Sequence, residues 1–327
     1  MSELALAAYA AETGSHLVRP PKDGRWRAFS RNFDSGSFLA GLNARGLRWL
    51  GRGDPGFPPL LGAIHDPPPG LFVRGAGDAE LLLRTAVAIV GARSCSPYGS
   101  QVARTCAREL AAAGLVVISG LARGIDGEAH RGALEAGGVT LAVLGCGVDR
   151  DYPAAHRELA ARICERGLIV AEYAPGVEPA PWRFPARNRI VAGLARATVV
   201  VEARERSGAL ITADFALEQG REVFAVPGEI TSSLSAGTNA LLGLGASPYT
   251  SAQDVLDALG IEPPAAPIVE LGPDATLVLE RLREFAAGAD ELQRVTGLRA
   301  GVVAAVLTEL ELAGAAVQEG GVFRASG

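Results

Sequence analysis

The chain has 327 residues, 48% of them hydrophobic, and a net charge of −5, enough for a full core and about two domains. No apolar run approaches the roughly 20 residues a membrane helix needs, and Met1 to Ala10 has neither a basic start nor a long apolar centre, so membrane insertion and export are not expected. The four cysteines, Cys95, Cys106, Cys146 and Cys164, form no C-x-x-C pair and have no histidine at zinc spacing; they read as reduced thiols of a cytoplasmic protein without a metal or other cofactor.

Residues 1–44 are rich in Arg and Gly and broken at Pro20-Pro21. Six short apolar runs then alternate with helical patterns: Thr85 to Gly91, Leu115 to Gly120, Thr140 to Gly145, Leu168 to Tyr173, Ala197 to Ala203 and Glu222 to Gly228. That alternation predicts an α/β fold, a doubly wound, mostly parallel sheet with helices on both faces, whose ligands gather at the C-terminal strand ends. Lys22 is the only lysine, so the positive charge is arginine, whose guanidinium binds phosphate bidentately and stacks on bases.

The loop Gly91 to Gly99 joins the first run to the first long helix. Gly91 permits close backbone approach, Arg93 is placed for phosphate, Ser94 and Ser96 offer hydroxyls, and no acid occurs between Leu81 and Arg108. The loop lacks the G-x-G-x-x-G dinucleotide pattern; an ordinary strand-to-helix turn is the alternative. In the second loop, Ser119 to Asp126, Gly120 and Gly124 suit close backbone approach, Arg123 adds charge, and Asp126 is expected to cap the helix holding His130. Asp126 and His130 are spaced as an acid–base pair, yet no G-x-S-x-G, H-E-x-x-H or Walker A pattern supplies a nucleophile or metal, so His130 is expected to pack.

The strongest signal is Arg183 to Arg189: Arg183, Arg187 and Arg189 with Asn188 and Phe184. From Pro179 to Val201 there are four arginines and no acid. Pro185 suits the first turn of a helix, which places Arg187, Asn188 and Arg189 near its N-terminus, where free N–H groups and the dipole favour an anion. Glu172 and Glu202, at strand ends, are expected to orient the arginines. Tyr98 and Trp182 either stack bases or pack. Ser207 is the expected N-cap of a helix that runs to Gln219 and stops at Gly220; Ser207 and Gly208 at its start are candidate nucleic-acid contacts, with Thr212 in a supporting place.

Four prolines between Gly260 and Pro273 mark a linker. Beyond it, helices over Ala275 to Phe285, from an Asp290 cap through Val295, and over Gly301 to Ala313 are followed by a hairpin across Gly320-Gly321, which together look like a winged helix. Its eight acids outnumber five arginines between Asp274 and Arg324, and the third helix carries Glu309 and Glu311 with no base after Arg299. A protein-contact or stabilising role therefore outweighs duplex binding.

Phe184-Pro-x-Arg-Asn-Arg-Ile, Ser207-Gly-Ala-Leu-Ile-Thr-Ala and Phe224-Ala-Val-Pro-Gly resemble signature blocks of the DNA-processing protein A (DprA/Smf) family. So do Val90-Gly-Ala-Arg93 with Tyr98-Gly99, Ser119 to Asp126 with Ala129-His130, Gly237-Thr-Asn239, and Asp54 to Gly75. The blocks span about residues 45 to 260, in order. The resemblance implies an extended Rossmann-like domain over 45–260, a linker over 261–273 and a winged helix over 274–327. The N-terminal helical bundle of many members is expected to be reduced or absent over 1–44. It further implies a non-enzymatic, cytoplasmic homodimer that binds and protects single-stranded DNA and loads the RecA recombinase onto it in natural transformation. The competing reading is a nucleotide-processing phosphoribohydrolase of the lysine-decarboxylase-like Rossmann type, whose P-G-G-x-G-T-x-x-E loop Pro227-Gly228-Glu229-Ile230 does not supply.

Overall fold

The computed structural model describes residues 2–262 and 271–325. They form two compact units, divided at Pro264/Ala265; most of the linker expected over 261–273 lies outside the described residues.

The first unit opens with three helices, α1 (Ser2–Thr13), α2 (Gly24–Asn32) and α3 (Ser35–Ala44). They are held by a small aromatic cluster in which Tyr9 meets Trp26 and Phe29 at ring distances of 5.4 and 5.1 Å. The segment expected to hold at most a reduced bundle is therefore helical, with Asp23 and Asp34 capping α2 and α3.

Next come β1 (Leu47–Gly51), the short α4 (Pro59–Gly62) and β2 (Gly70–Arg74), which begin the sheet. Alternating elements then follow: β3 (Ala86–Val90), α5 (Pro97–Ala112), β4 (Val116–Ser119), α6 (Ile125–Glu135), β5 (Thr140–Val143), α7 (Arg157–Arg166), β6 (Leu168–Ala171), α8 (Arg183–Leu194), β7 (Ala197–Val200), α9 (Gly208–Glu218) and β8 (Glu222–Ala225). The unit closes with α10 (Ala236–Gly243), β9 (Ser247–Pro248) and α11 (Ala252–Leu259).

The nine strands run in the order β1-β2-β6-β5-β4-β3-β7-β8-β9. From β6 through β9 neighbours are parallel, whereas β1 and β2 are antiparallel additions at the β6 edge. All six expected strands are present, each ending one to three residues before its expected end, where the chain turns into a loop. Strand alternation divides the core: Ala86, Ala88 and Val90 face α8 and α9, while Val87 and Ile89 face α5, α6 and α11. Connections leave β3 toward β4 on one side and enter β7 on the other, so the loops after β3, β4 and β7 meet at one crevice.

The second unit has α12 (Pro273–Glu284), α13 (Ala289–Thr296), α14 (Ala300–Leu312) and the hairpin β10 (Ala316–Glu319) and β11 (Val322–Ala325). Val278, Leu292, Val303, Leu310 and Phe323 lie in its core. Gly288, not Asp290, is the N-cap of α13; Asp290 sits inside the first turn, where its charge still complements the dipole.

Candidate nucleic-acid interface

The loops after β3, β4, β5 and β7 and the first turns of α8 and α9 enclose a groove with two adjoining hollows. One, of about 240 Å³, is lined by Gly91, Arg93, Asp126, Asn188, Ser207, Gly208 and Thr212 among others. The other, of about 410 Å³, is lined by Ser94, Arg123, Gly145, Cys146, Tyr152 and neighbours. Arg93, Gly120, Ala122, Phe184 and Arg187 line both.

Phe184 stands at the junction. The Arg93 guanidinium lies 5.2 Å from its ring centroid, and Tyr152 stacks on it with ring centroids 5.5 Å apart and planes 25° apart. Tyr152 is 41% exposed. Among the described residues neither Arg93 nor Arg123 is in an ion pair, and both are exposed. Two unpaired guanidinium groups beside two aromatic rings can neutralise phosphates and accept stacked bases.

The remaining arginines of the α8 signature do something else. Arg187 is 5% exposed and donates to the Gly120 carbonyl at 2.8 Å and to the Val143 carbonyl. Burial lowers its pKa, and Asp126 acts in the opposite direction. It ties the loop after β4 to the end of β5 from beneath, which corrects the expectation of a directly phosphate-binding side chain. Arg189 is also buried and makes a two-pronged pair with Glu172, at 2.8 and 2.6 Å; it anchors α8 to the end of β6 rather than facing a ligand. Glu172 thus orients an arginine as expected. Arg183 turns away from the groove, its guanidinium over the rings of Trp182 and Tyr173. Asn188 lines the groove and donates to the Gly208 carbonyl at 3.0 Å, which joins α8 to the start of α9.

Several other expected side chains prove structural. Ser96 accepts from the Gly99 amide as the N-cap of α5 and donates to Glu202, whose other oxygen takes the Ser96 amide at 2.9 Å. Glu202 therefore holds this loop and not an arginine, and Ser96 has no hydroxyl proton left for a ligand. Tyr98 is 53% exposed but donates to the Pro227 carbonyl at 3.2 Å, outside both hollows. Asp126 does not cap α6, whose N-cap is Gly124. Instead it accepts from the Gly120 and Ala122 amides at 3.1 and 3.2 Å. Burial raises its pKa, against the pull of Arg187. Ser207 caps α9, and Thr212 lies buried on the groove floor.

The loop after β4 is clamped at several of its main-chain groups, the Gly120 and Ala122 amides by Asp126 and the Gly120 carbonyl by Arg187. Leu121 takes a left-handed backbone (φ 58°) and its carbonyl meets His156 Nδ1 at 3.0 Å. A Cβ at Gly120 would run into the Arg187 guanidinium, and one at Gly124 (φ 74°) into the Ala92 carbonyl; at Gly91 it would meet Ile125 and the Glu202 carbonyl. These glycines permit close packing of the loops on one another. His130 is fully buried: Thr140 Oγ1 donates to the Val117 carbonyl and so accepts from His130 Nδ1 at 2.7 Å. Its Nε2 has no partner among the described residues. Burial first, then His156 and Arg187, push its pKa down to about 3, so it is a neutral packing residue.

Tyr152 is the residue that strand and helix patterns missed. The available signal was a loop opening on Gly145-Cys146-Gly147 directly after a strand and carrying an aromatic before proline. Asp151 beside it pairs with Arg74 at 3.0 Å and Arg157 at 3.4 Å, which offsets its charge next to the groove.

The family model described as DNA recombination-mediator protein A matches residues 48–260, and one described as DprA winged helix domain matches 262–321. A DNA processing protein DprA from Streptococcus pneumoniae is 46% identical over 200 residues, 61% of this chain and 70% of that protein. A putative DNA processing protein DprA from Mycobacterium tuberculosis is 44% identical over 263 residues, 78% of this chain and 68% of its own. The crystal structure of the S. pneumoniae protein superposes with a TM-score of 0.68 at 37% identity, over 78% of this chain and 92% of that one. DNA processing protein A from Helicobacter pylori, whose structure is described in terms of its single-stranded DNA binding mode, gives a TM-score of 0.57 at 34% identity, over 62% of this chain and 92% of its own. The matched family is one of recombination mediators rather than enzymes, which removes the phosphoribohydrolase reading. By this match over most of its length and this shared fold, the chain belongs to the DNA-processing protein A family.

Proposed function

We propose that the chain binds single-stranded DNA along the groove at the C-terminal ends of β3, β4, β5 and β7, protects it, and helps load RecA onto it during uptake of transforming DNA, as a cytoplasmic homodimer. One observation carries the binding step: Arg93, over the Phe184 ring that Tyr152 stacks on, and Arg123, lining the same hollow, have no carboxylate partners among the described residues. A ring face can take any unstacked base, but not a base paired inside a duplex, so the chemistry favours a single strand with little sequence preference. The H. pylori relative's single-stranded DNA binding mode supports the same reading.

For the winged unit we propose a protein contact, since the exposed face of its third helix offers Thr308, Glu309 and Glu311 and no base. The division into 1–44, 45–260, 261–273 and 274–327 is proposed on the same footing; the break at 264/265 supports only the separation of the winged unit. The test is titration of a fluorescent oligothymidylate with wild type, Arg93→Ala, Arg123→Ala and Phe184→Ala. Each substitution weakens binding while the melting temperature holds; unchanged affinity in all three would reject the groove.

A further inference from the structure

The N-terminal helices carry a second basic surface, outside the recombination-mediator match over 48–260. Between Arg19 and Arg31 stand five bases, Arg19, Lys22, Arg25, Arg27 and Arg31, against the single acid Asp23, in a chain of net charge −5. All five are exposed. None is in an ion pair among the described residues. Asp23 is occupied as the α2 N-cap, accepting from the Trp26 amide at 2.7 Å, and Arg27 and Arg31 reach only the carbonyls of Lys22 and Arg27, both at 3.3 Å. Like charges so placed repel one another until a polyanion neutralises them.

The apolar side of α2 is already used. Trp26 is buried against Tyr9, and Phe29 and Phe33 continue that face into the same cluster. A bilayer surface would need an apolar face of its own; the exposed side chains of α2 are Arg25, Arg27, Arg31, Asn32 and the small Ala28, with no large apolar residue, which fits a phosphate backbone.

A chain of contacts leads from the edge of the groove toward this surface. Arg183, next to Phe184, lies 4.9 Å over the ring of Trp182, which is 43% exposed. The Trp182 ring is 6.2 Å from that of His16, Leu17 packs into the Tyr9–Trp26 cluster, and Arg19 follows two residues later. We propose that α2 and the segment before it hold phosphates of the same single strand as it leaves the groove past Trp182. The inference rests on the groove reading above.

The experiment compares full-length wild type with the triple variant Arg25→Ala, Arg27→Ala, Arg31→Ala on two oligothymidylates, one of about 6 nucleotides that fills only the groove and one of about 25 that extends beyond it. The variant binds the short strand like wild type. It binds the long one on the order of tenfold more weakly, with a log–log salt slope smaller by up to about 2, at about 0.7 per phosphate. A triple lysine variant, which keeps the charge, retains long-strand affinity. Unchanged long-strand affinity and slope in the alanine variant would overturn the proposal. So would loss of binding to phosphatidylserine vesicles with long-strand binding intact, which would assign the face to a membrane. If wild type fails to bind even the short strand, the groove reading falls first and this one with it; if wild type binds both strands equally well, this one falls alone.

Discussion

Arg93, in the loop after β3, and Arg187, in α8, line one groove, yet substitution should affect them differently. Arg93 is exposed with only a ring beneath it, so Arg93→Ala weakens DNA binding and leaves thermal unfolding unchanged. Arg187 is buried on two carbonyls, so Arg187→Ala leaves acceptors unpaired and costs about 1–3 kcal/mol of stability or more, read in urea unfolding. Arg189→Ala strands Glu172 in the core and costs about 3–5 kcal/mol. Equal melting temperatures for all three would contradict the assignment. Phe184→Ala removes a stacking face worth about 1–3 kcal/mol of binding. The signature Arg183 to Arg189 was legible as a functional cluster, but not the division of labour within it. Spacing along a helix says which residues share a face, whereas the carbonyls that capture Arg187 come from the end of β5 and the loop after β4, 44 and 67 residues distant.

His130 gives the residue scale a pH signature. Its folded pKa, about 3, lies below the usual value near 6.5, so the unfolded chain binds the extra proton between them. The stabilisation from the neutral ring is complete above pH 6.5 and is lost as pH falls from there toward 3, by up to about 1.4 kcal/mol per pH unit. His130→Asn, whose amide can reach Thr140 in place of Nδ1, should flatten this part of the stability–pH curve. An unchanged curve between pH 6 and 4 would show that His130 is not the group concerned.

At the scale of elements, the loop after β4 is the most constrained piece. Gly124 has a positive φ and no room for a Cβ, so Gly124→Ala should both destabilise the fold and displace Arg123, weakening DNA binding in the part of the population that folds. Native-like stability and affinity in that variant would mean that the loop can relax. The helix α8 and the six parallel strands could be read from the chain because periodicity, Pro185 and flanking glycines are local signals. The strands β1, β2 and β9 could not. Leu47–Gly51 mixes Arg48 and Trp49 without clear alternation, Ser247–Pro248 is two residues long, and β2 finds its partner β6 about a hundred residues away. Asp126 was misread for a related reason: an acid at the head of a helix resembles a cap, and only the folded loop shows its oxygen accepting from Gly120 and Ala122.

For the whole molecule, the overall acidity and the local arginine clusters are separate facts. The unpaired groove arginines all lie upstream of Gly260, while the winged unit carries eight acids against five arginines. Truncation after Gly260 should therefore retain single-strand affinity to within about 1.4 kcal/mol, tenfold in Kd, and impair only steps that need a protein contact. A larger loss from a truncated domain that remains folded would show the winged unit to be part of the DNA site. The central claim, that the groove grips phosphates and unpaired bases together, is tested most directly by titrating the full-length protein with an oligothymidylate and with a duplex of equal length across a series of salt concentrations. The account predicts tighter binding of the single strand at every salt concentration, with a log–log slope near −0.7 for each phosphate neutralised; equal binding of the two at matched salt would contradict it.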